Sequence, residues 1–174
     1  MNEVIKSLLE RRSCRKFKPE NIKEEELDAI LEAGTYAPTG MGKQSPLIVS
    51  ISNKEDRDAL ERLNAEVLGD ANAKPFYGAP NVVVVFGQKD IPFCIHDANL
   101  VLGNILNAAY ALGIDSCYIW RAKESLESEG GKELLKKWGV PDGYVAVANV
   151  ILGYGIDEGR NVAPPRKEGY IIKV

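Results

Sequence analysis

The sequence NVVVVFG, at residues 81–87, continues after Asn81 as an unbroken apolar run that is rich in β-branched side chains. Successive side chains of a strand point to opposite faces of a sheet, so a run without polar residues is typical of a strand covered on both faces. The pattern therefore predicts an inner strand, with helices packed against each side of the sheet.

Helical and strand-like patterns alternate on both sides of this run. Strands are predicted at 46–52, 114–120 and 144–153, with a strand-like end at 170–174, and helices at 4–12, 23–34, 54–68, 94–112 and within 128–140. Gly34 is expected to end the second helix. The helix at 94–112 is the most apolar and should lie at the centre of the core or at an interface. The alternation implies a sheet between two helical layers.

Composition limits the class of protein. The chain has 174 residues, which fits one domain over 1–174, and its formal net charge of -3 argues against nucleic acid as a partner. It lacks both an apolar run of about 18 residues and the apolar region of a signal peptide, so we expect no membrane association and a cytoplasmic location. Three cysteines without a CxxC pattern and a single histidine, His96, predict no metal site.

A basic cluster follows the first helix. In RRSCRKF (11–17), the side chains of Arg11, Ser13 and Arg15 alternate, so an extended chain presents two guanidinium groups and a hydroxyl on one side. This chemistry suits a phosphate. The alternative is a solvated charge run that complements a helix C-terminus. Arg166, in PPRKE near the end of the chain, provides a further cation.

Several motifs occur in the order found in a known family. RRSCRKF resembles the RRSxRxF opening of the FMN-dependent nitroreductase family, and EAGTYAPTGMGKQSP (32–46) resembles its A-x-x-A-P-S/T-x-x-x-x-Q loop. The similarity continues through FYGAPNVVVVFG, the long central helix, LGIDSCYIW and the closing LGYG and PPR segments. It covers nearly the whole chain.

The resemblance implies a homodimer of an α+β fold. The fold would be a three-layer α/β/α sandwich with a mixed, mainly antiparallel central sheet, and the C-terminal tail would be exchanged with the dimer partner. FMN would bind at two sites, each formed by both subunits. The linker 88–93 is short compared with larger relatives, which implies a minimal lid over the flavin.

The resemblance also assigns cofactor-binding residues. It implies that Arg15 lies near N1 and O2 of the flavin, where a cation stabilises the anionic reduced form. No side chain is expected to act as an acid or nucleophile, since the flavin N5 carries the chemistry. The other residues assigned to the flavin are Arg11, Arg12, Ser13 and Arg166 at the phosphate, Ala37, Pro38, Thr39, Gly40 and Gln44 in the loop, and Tyr118, Ile119 and Trp120 along the ring.

The function that the resemblance implies is an FMN-dependent oxidoreductase. It would pass hydride from NAD(P)H through the bound flavin to a small acceptor, such as a nitroaromatic or a quinone, by a ping-pong mechanism. One alternative is a flavin carrier or redox sensor without efficient nicotinamide turnover. Another is a purely structural dimer in which the arginines serve only folding.

Overall fold

A four-stranded sheet forms the centre of the computed structural model, which describes residues 1–174. The strands are β1 Leu47–Ile51, β2 Asn81–Gln88, β3 Asp115–Ile119 and β4 Tyr144–Gly153, in the order β1-β2-β4-β3. All three strand pairs are antiparallel, and the one parallel pairing is an isolated bridge between Ser13 and Ser116. β3 therefore lies at an edge, beside the basic segment.

Helices cover both faces of the sheet. They are α1 Glu3–Glu10, α2 Glu24–Thr35, α3 Lys54–Leu68, α4 Cys94–Ala111, α5 Ala122–Glu127 and α6 Glu129–Lys137. In β2, Val83 and Val85 join the core with α2 and α4, whereas Val82 and Val84 join a second core with α3, α5 and α6. The predicted inner strand with two covered faces is confirmed.

Polar side chains mark where several helices begin. Asn2 accepts a hydrogen bond from the Val4 N–H (2.9 Å), and Asn53 accepts one from the Asp56 N–H (2.9 Å). Ser128 accepts one from the Gly131 N–H (3.1 Å) and so separates α5 from α6. The sequence pattern predicted α6 but missed α5, which is only six residues long.

Two expectations from the sequence need correction. Gly34 does not end α2, which continues to Thr35; it is buried, and a Cβ there would lie 2.8 Å from Cγ1 of Ile105 in α4. Its role is to let the two helices approach closely. The strand-like residues 170–174 form no strand, and every residue of 161–174 is exposed.

One side of the molecule leaves apolar side chains uncovered. α4 packs its other face against the sheet and α2, but Ile95 and Leu100 are 44% and 47% exposed. α1 buries none of its residues, and Val4 and Leu8 are 66% and 49% exposed. α4 thus contributes to the core on one face and presents an unpartnered surface on the other. No helix has the length and apolar character needed to cross a bilayer.

Candidate functional site

The basic segment 11–17 lies between β3 and the start of the C-terminal tail. Cys14 donates its backbone N–H to the Ser116 carbonyl (3.0 Å), and Arg15 donates to the Gly159 carbonyl (2.8 Å). Asn161 in turn donates to the Ser13 carbonyl (3.1 Å). A Cβ on Gly159 would lie 2.5 Å from the Lys16 nitrogen, so this close approach of two chain segments requires glycine. The result is an extended segment that carries Arg11, Arg12 and Arg15.

The arginines of this segment have no acidic partners. The chain's ion-paired arginines are Arg57 and Arg160, and none of Arg11, Arg12 and Arg15 forms a salt bridge. Arg12 instead donates from Nη1 to the carbonyls of Leu9 (2.8 Å) and Arg11 (2.6 Å). These positive charges are therefore available to an anion from outside the chain.

Arg160 provides the contrast in the same corner of the molecule. It donates from Nε and Nη2 to the buried carboxylate of Asp115, at 3.0 and 2.8 Å, and it also pairs with Asp157. This pairing raises the pKa of Arg160 above its ordinary value. Its charge is neutralised locally, and the contact attaches the start of the tail to β3.

Cys14 is fully buried among these charged residues. Burial raises the pKa of its thiol above the ordinary value, and a backbone hydrogen bond of Lys16 lowers it only in part. The thiol therefore stays protonated at neutral pH. Cys14 therefore acts as a small buried residue and not as a reactive thiolate.

The outer edge of β3 is free beyond the basic segment. The Ser116 carbonyl points away from β4, because it accepts from Cys14. In an antiparallel ladder this direction repeats every two residues, so the backbone N–H and C=O of Tyr118 also face outward, and no strand pairs with them. Ile119 is buried, whereas Tyr118 and Trp120 are 37% and 60% exposed. The edge offers hydrogen-bonding groups and aromatic surface to a planar ligand.

The side chains at this edge are themselves held in place. Tyr118 donates its hydroxyl to Oδ1 of Asn99 in α4 (3.0 Å), and partial burial raises the pKa of the phenol. The guanidinium of Arg121 lies 5.6 Å from the centre of the Trp120 ring. Both aromatic groups therefore have defined orientations next to the free edge.

The glycine-containing loop is fastened near the start of α4. Ala37 is buried, and Gly40 donates its N–H to Oδ1 of Asp97 (3.0 Å). Thr39 closes the loop by accepting at Oγ1 from the Gln44 N–H (3.0 Å). A Cβ on Gly40 would overlap the ring of Phe93, so only glycine fits at this position.

The tip of this loop has a strained backbone. Met41 and Gln44 adopt left-handed conformations with φ of 55° and 49°, which side chains other than glycine rarely do. Met41 is 84% exposed, and Pro38 is also exposed. Strain of this kind persists where the surrounding structure over-determines the backbone, and it is common at ligand sites.

One chain does not bring all the predicted residues together. Arg12 lines a cavity with Tyr110 near the end of α4, whereas the loop is bound to Asp97 near its start. Those two helical positions are separated by about 20 Å at the rise of an α-helix. Arg166 lies in the exposed tail, where it donates to the Pro164 carbonyl (2.6 Å). The arginine segment and residues 118–120 share one edge, and Tyr118 contacts Asn99 at the same end of α4 as the loop. The loop lies apart from Arg12, and Arg166 lies in the exposed tail.

Sequence reasoning missed several residues that organise the site. Asp97 and Phe93 hold the loop, and Tyr77 and Asn161 contact Arg15. Of these residues, only Tyr77 lies in a recognisable local pattern: it is followed by a glycine and, at 80, a proline, which together indicate a turn. The others are distant in sequence from the groups they contact.

The profile of a known family, described as the Nitroreductase family, matches residues 8–154. The chain belongs to the nitroreductase family. A nitroreductase with bound FMN from Bacteroides fragilis NCTC 9343 is similar to it over 100% of both chains, with 27% identity and a TM-score of 0.92. A second, from Desulfitobacterium hafniense DCB-2, also with bound FMN, is 30% identical over 100% of this chain and 99% of its own, with a TM-score of 0.87.

A curated relative from Bacillus subtilis (strain 168) carries the name FMN reductase (NAD(P)H). It is 24% identical over 189 residues, which span 95% of this chain and 70% of the relative. The predicted family and the predicted α/β fold are confirmed. The dimer and the exchange of its C-terminal tail stay predictions. The assignments of individual site residues stay predictions.

Proposed function

We propose that this nitroreductase-family chain is a single-domain, FMN-dependent oxidoreductase that takes hydride from NAD(P)H. The observation that carries the proposal is the arginine segment without acidic partners, lying along the free edge of β3. It fits a ligand with an anionic group at one end and a planar, hydrogen-bonding ring at the other. FMN has both, and two similar solved structures are described with FMN bound.

The cations divide into two roles. Arg11, Arg12 and Ser13 supply hydrogen-bond donors for the phosphate, whose charge favours guanidinium groups held near neutral partners. Arg15 lies further along the segment, where its charge favours an electron-rich ring. The outward N–H and C=O of Tyr118 provide complementary hydrogen bonds to the ring's polar edge. All of these groups lie on one edge of one chain.

The glycine loop completes the site from a second copy of the chain. In a two-fold dimer with the uncovered faces of two α4 helices packed antiparallel, the start of one helix lies at the end of the other. The loop fastened at Asp97 of one subunit then lies beside the arginines of its partner. Such packing covers Ile95 and Leu100, which one chain leaves exposed. The arrangement accounts for the separation of about 20 Å within a single chain.

The tail crosses to the partner as well. Residues 161–174 are exposed throughout, and they include the apolar side chains of Val162, Ile171 and Ile172. Exposing these side chains to water is unfavourable, and the partner's surface provides cover for them. Arg166 then reaches the phosphate end of a site.

The reaction follows from this arrangement. FMN, held by the residues named above, would supply hydride transfer from NAD(P)H to a small acceptor, a nitroaromatic or a quinone, in a ping-pong cycle. The protein positions the reactants and excludes water. In this proposal no side chain acts as an acid or a nucleophile.

An absorption spectrum tests the proposal. The protein is saturated with FMN, desalted and mixed anaerobically with NADH or NADPH. We expect flavin to be retained and its visible absorption to bleach within seconds. Retained flavin that stays yellow would indicate a carrier or sensor, and loss of all flavin on desalting would contradict the proposed cofactor.

A further inference from the structure

Arg15 is oriented by two neutral groups. Its Nη1 donates to Oδ1 of Asn161 (3.0 Å), and its guanidinium carbon lies 5.8 Å from the centre of the Tyr77 ring. Neither group carries a charge, and no carboxylate pairs with Arg15. Nearby Arg160, in contrast, is held by Asp115 and Asp157. Both arginines are oriented by their contacts, but only Arg15 is without a counter-charge.

Tyr77 occupies a backbone conformation that is costly for an aromatic residue. Its φ is 53°, next to Gly78 at 77°, in the turn before Pro80. A bulky side chain in the left-handed region strains the backbone. Glycine or asparagine would suit this backbone better, so the local stability of the turn does not explain a tyrosine here.

The surrounding structure forces this conformation. Phe76 and Ala79 are fully buried on either side of the turn, and the Phe76 N–H donates to Oε1 of Glu61 (3.0 Å). Tyr77 itself donates to the Lys74 carbonyl (2.9 Å). With its neighbours fixed in the core, the side chain of Tyr77 is directed outward, 40% exposed, to the face of Arg15.

Asn161 is fixed just as firmly. Its backbone N–H donates to the Ser13 carbonyl, and the preceding residue is Arg160, which is attached to Asp115. The side-chain amide of Asn161 therefore accepts from Arg15, although the two residues are 146 positions apart in the sequence. An aspartate would form a stronger contact here, but it would neutralise the guanidinium.

We propose that Tyr77 and Asn161 are positioning residues that hold Arg15 as an uncompensated cation toward the flavin, so that the site favours reduced over oxidised FMN. The proposal rests on the proposed function, because it requires FMN to bind beside this segment. Reduced flavin carries an additional negative charge near neutral pH, so a cation held without a counter-charge stabilises it more than the neutral oxidised ring. Both residues act through Arg15 and need not touch the flavin.

The test measures the affinity for oxidised FMN and the midpoint potential of the bound flavin, which together give the ratio of affinities for reduced and oxidised cofactor. We expect Asn161→Asp to lower this ratio about fivefold, which for a two-electron couple is a potential about 20 mV lower. Tyr77→Leu, which removes the aromatic ring, should also lower the ratio. Tyr77→Phe, which keeps the ring, should leave the ratio at the value of the unmodified protein. Asn21→Asp adds the same charge at a loop beside Ser52 and is the matched control.

The outcomes separate this inference from the proposed function. If the unmodified protein binds no FMN, the proposed function fails and this inference fails with it. If FMN binds and is reduced, but Asn161→Asp keeps the original ratio or shifts it no more than Asn21→Asp does, only the positioning role is overturned. Asn161 is exposed, so its variant decides the question even if Tyr77→Leu does not fold.

Discussion

The substitution Gly40→Ala tests how tightly the loop is fixed to α4. The added Cβ would lie 2.8 Å from Cζ of Phe93 and closer still to two other atoms of the ring. Overpacking of this kind costs about 1–3 kcal/mol. If the loop moves away instead, the buried Asp97 loses its bond from the Gly40 N–H, and its other oxygen, Oδ2, already lacks a partner.

An unsatisfied buried acceptor costs a further 1–3 kcal/mol or so. Because the loop can relieve the overlap only by losing the hydrogen bond, we expect the free energy of unfolding to fall by about 2 kcal/mol or more. Urea denaturation followed by circular dichroism measures this change. FMN titration of the folded variant should show weaker binding, because the loop is displaced from its position.

A second substitution tests whether contact with the Phe93 ring causes the loss of stability in Gly40→Ala. Phe93→Leu removes the ring that the new methyl group meets, so the double variant should regain much of the stability that Gly40→Ala loses. An isolated Gly40→Ala variant as stable as the unmodified protein would refute the tight packing at this loop. A double variant in which the stability losses of the two single variants simply add would refute it as well.

Further predictions concern the tail, the phosphate and the stability in acid. Truncation after Asn161 removes only exposed residues, so the subunit should stay folded while dimerisation and FMN affinity, measured by sedimentation and titration, fall together; a fully loaded intact dimer would contradict tail exchange. Arg11→Ala should weaken FMN binding much more than binding of riboflavin, which has no phosphate, and equal losses would exclude a phosphate contact. The hydrogen bond from Lys137 (2.6 Å) is the largest of the effects that lower the pKa of Asp56, and Asn53 and Trp138 also donate to its carboxylate. The ionised carboxylate therefore stabilises the fold at every pH above the pKa that Asp56 has in the unfolded chain. This contribution is lost as the pH falls through the lower pKa of the folded state. Asp56→Asn should therefore reduce stability at pH 7 and lose most of that effect below about pH 4, whereas a deficit that persists in acid would point to packing instead.

Local patterns in the sequence predict much of the fold. The bounds of α3 (54–68) and β4 (144–153) agree with the structure, because α3 has apolar residues at helical spacing and β4 is a long run of apolar, strand-forming residues. The basic segment was found because its spacing is local. α5 was missed because six residues give too little periodicity, and the role of Gly34 was misjudged because helix-ending glycines and helix-contact glycines share the same local pattern.

The contacts that organise the site could not be predicted from local patterns in the sequence. Asn161 meets Arg15 across 146 residues, and Asp97 meets Gly40 across 57 residues. Neither pairing leaves a trace in local composition. The left-handed backbone of Tyr77 is imposed by the burial of its neighbours, which is a property of the folded chain and not of the turn sequence.

Subunit complementation tests the central claim, that each FMN site combines the arginine segment of one chain with the glycine loop of another. The Arg11→Ala and Gly40→Ala variants, each weak in FMN binding, are mixed and allowed to exchange subunits. In the mixed dimers one site joins an intact arginine segment to an intact loop, so about one quarter of all sites should bind FMN with the original affinity. If the mixture binds no better than the two variants measured separately, each site is formed within one chain and the account is wrong.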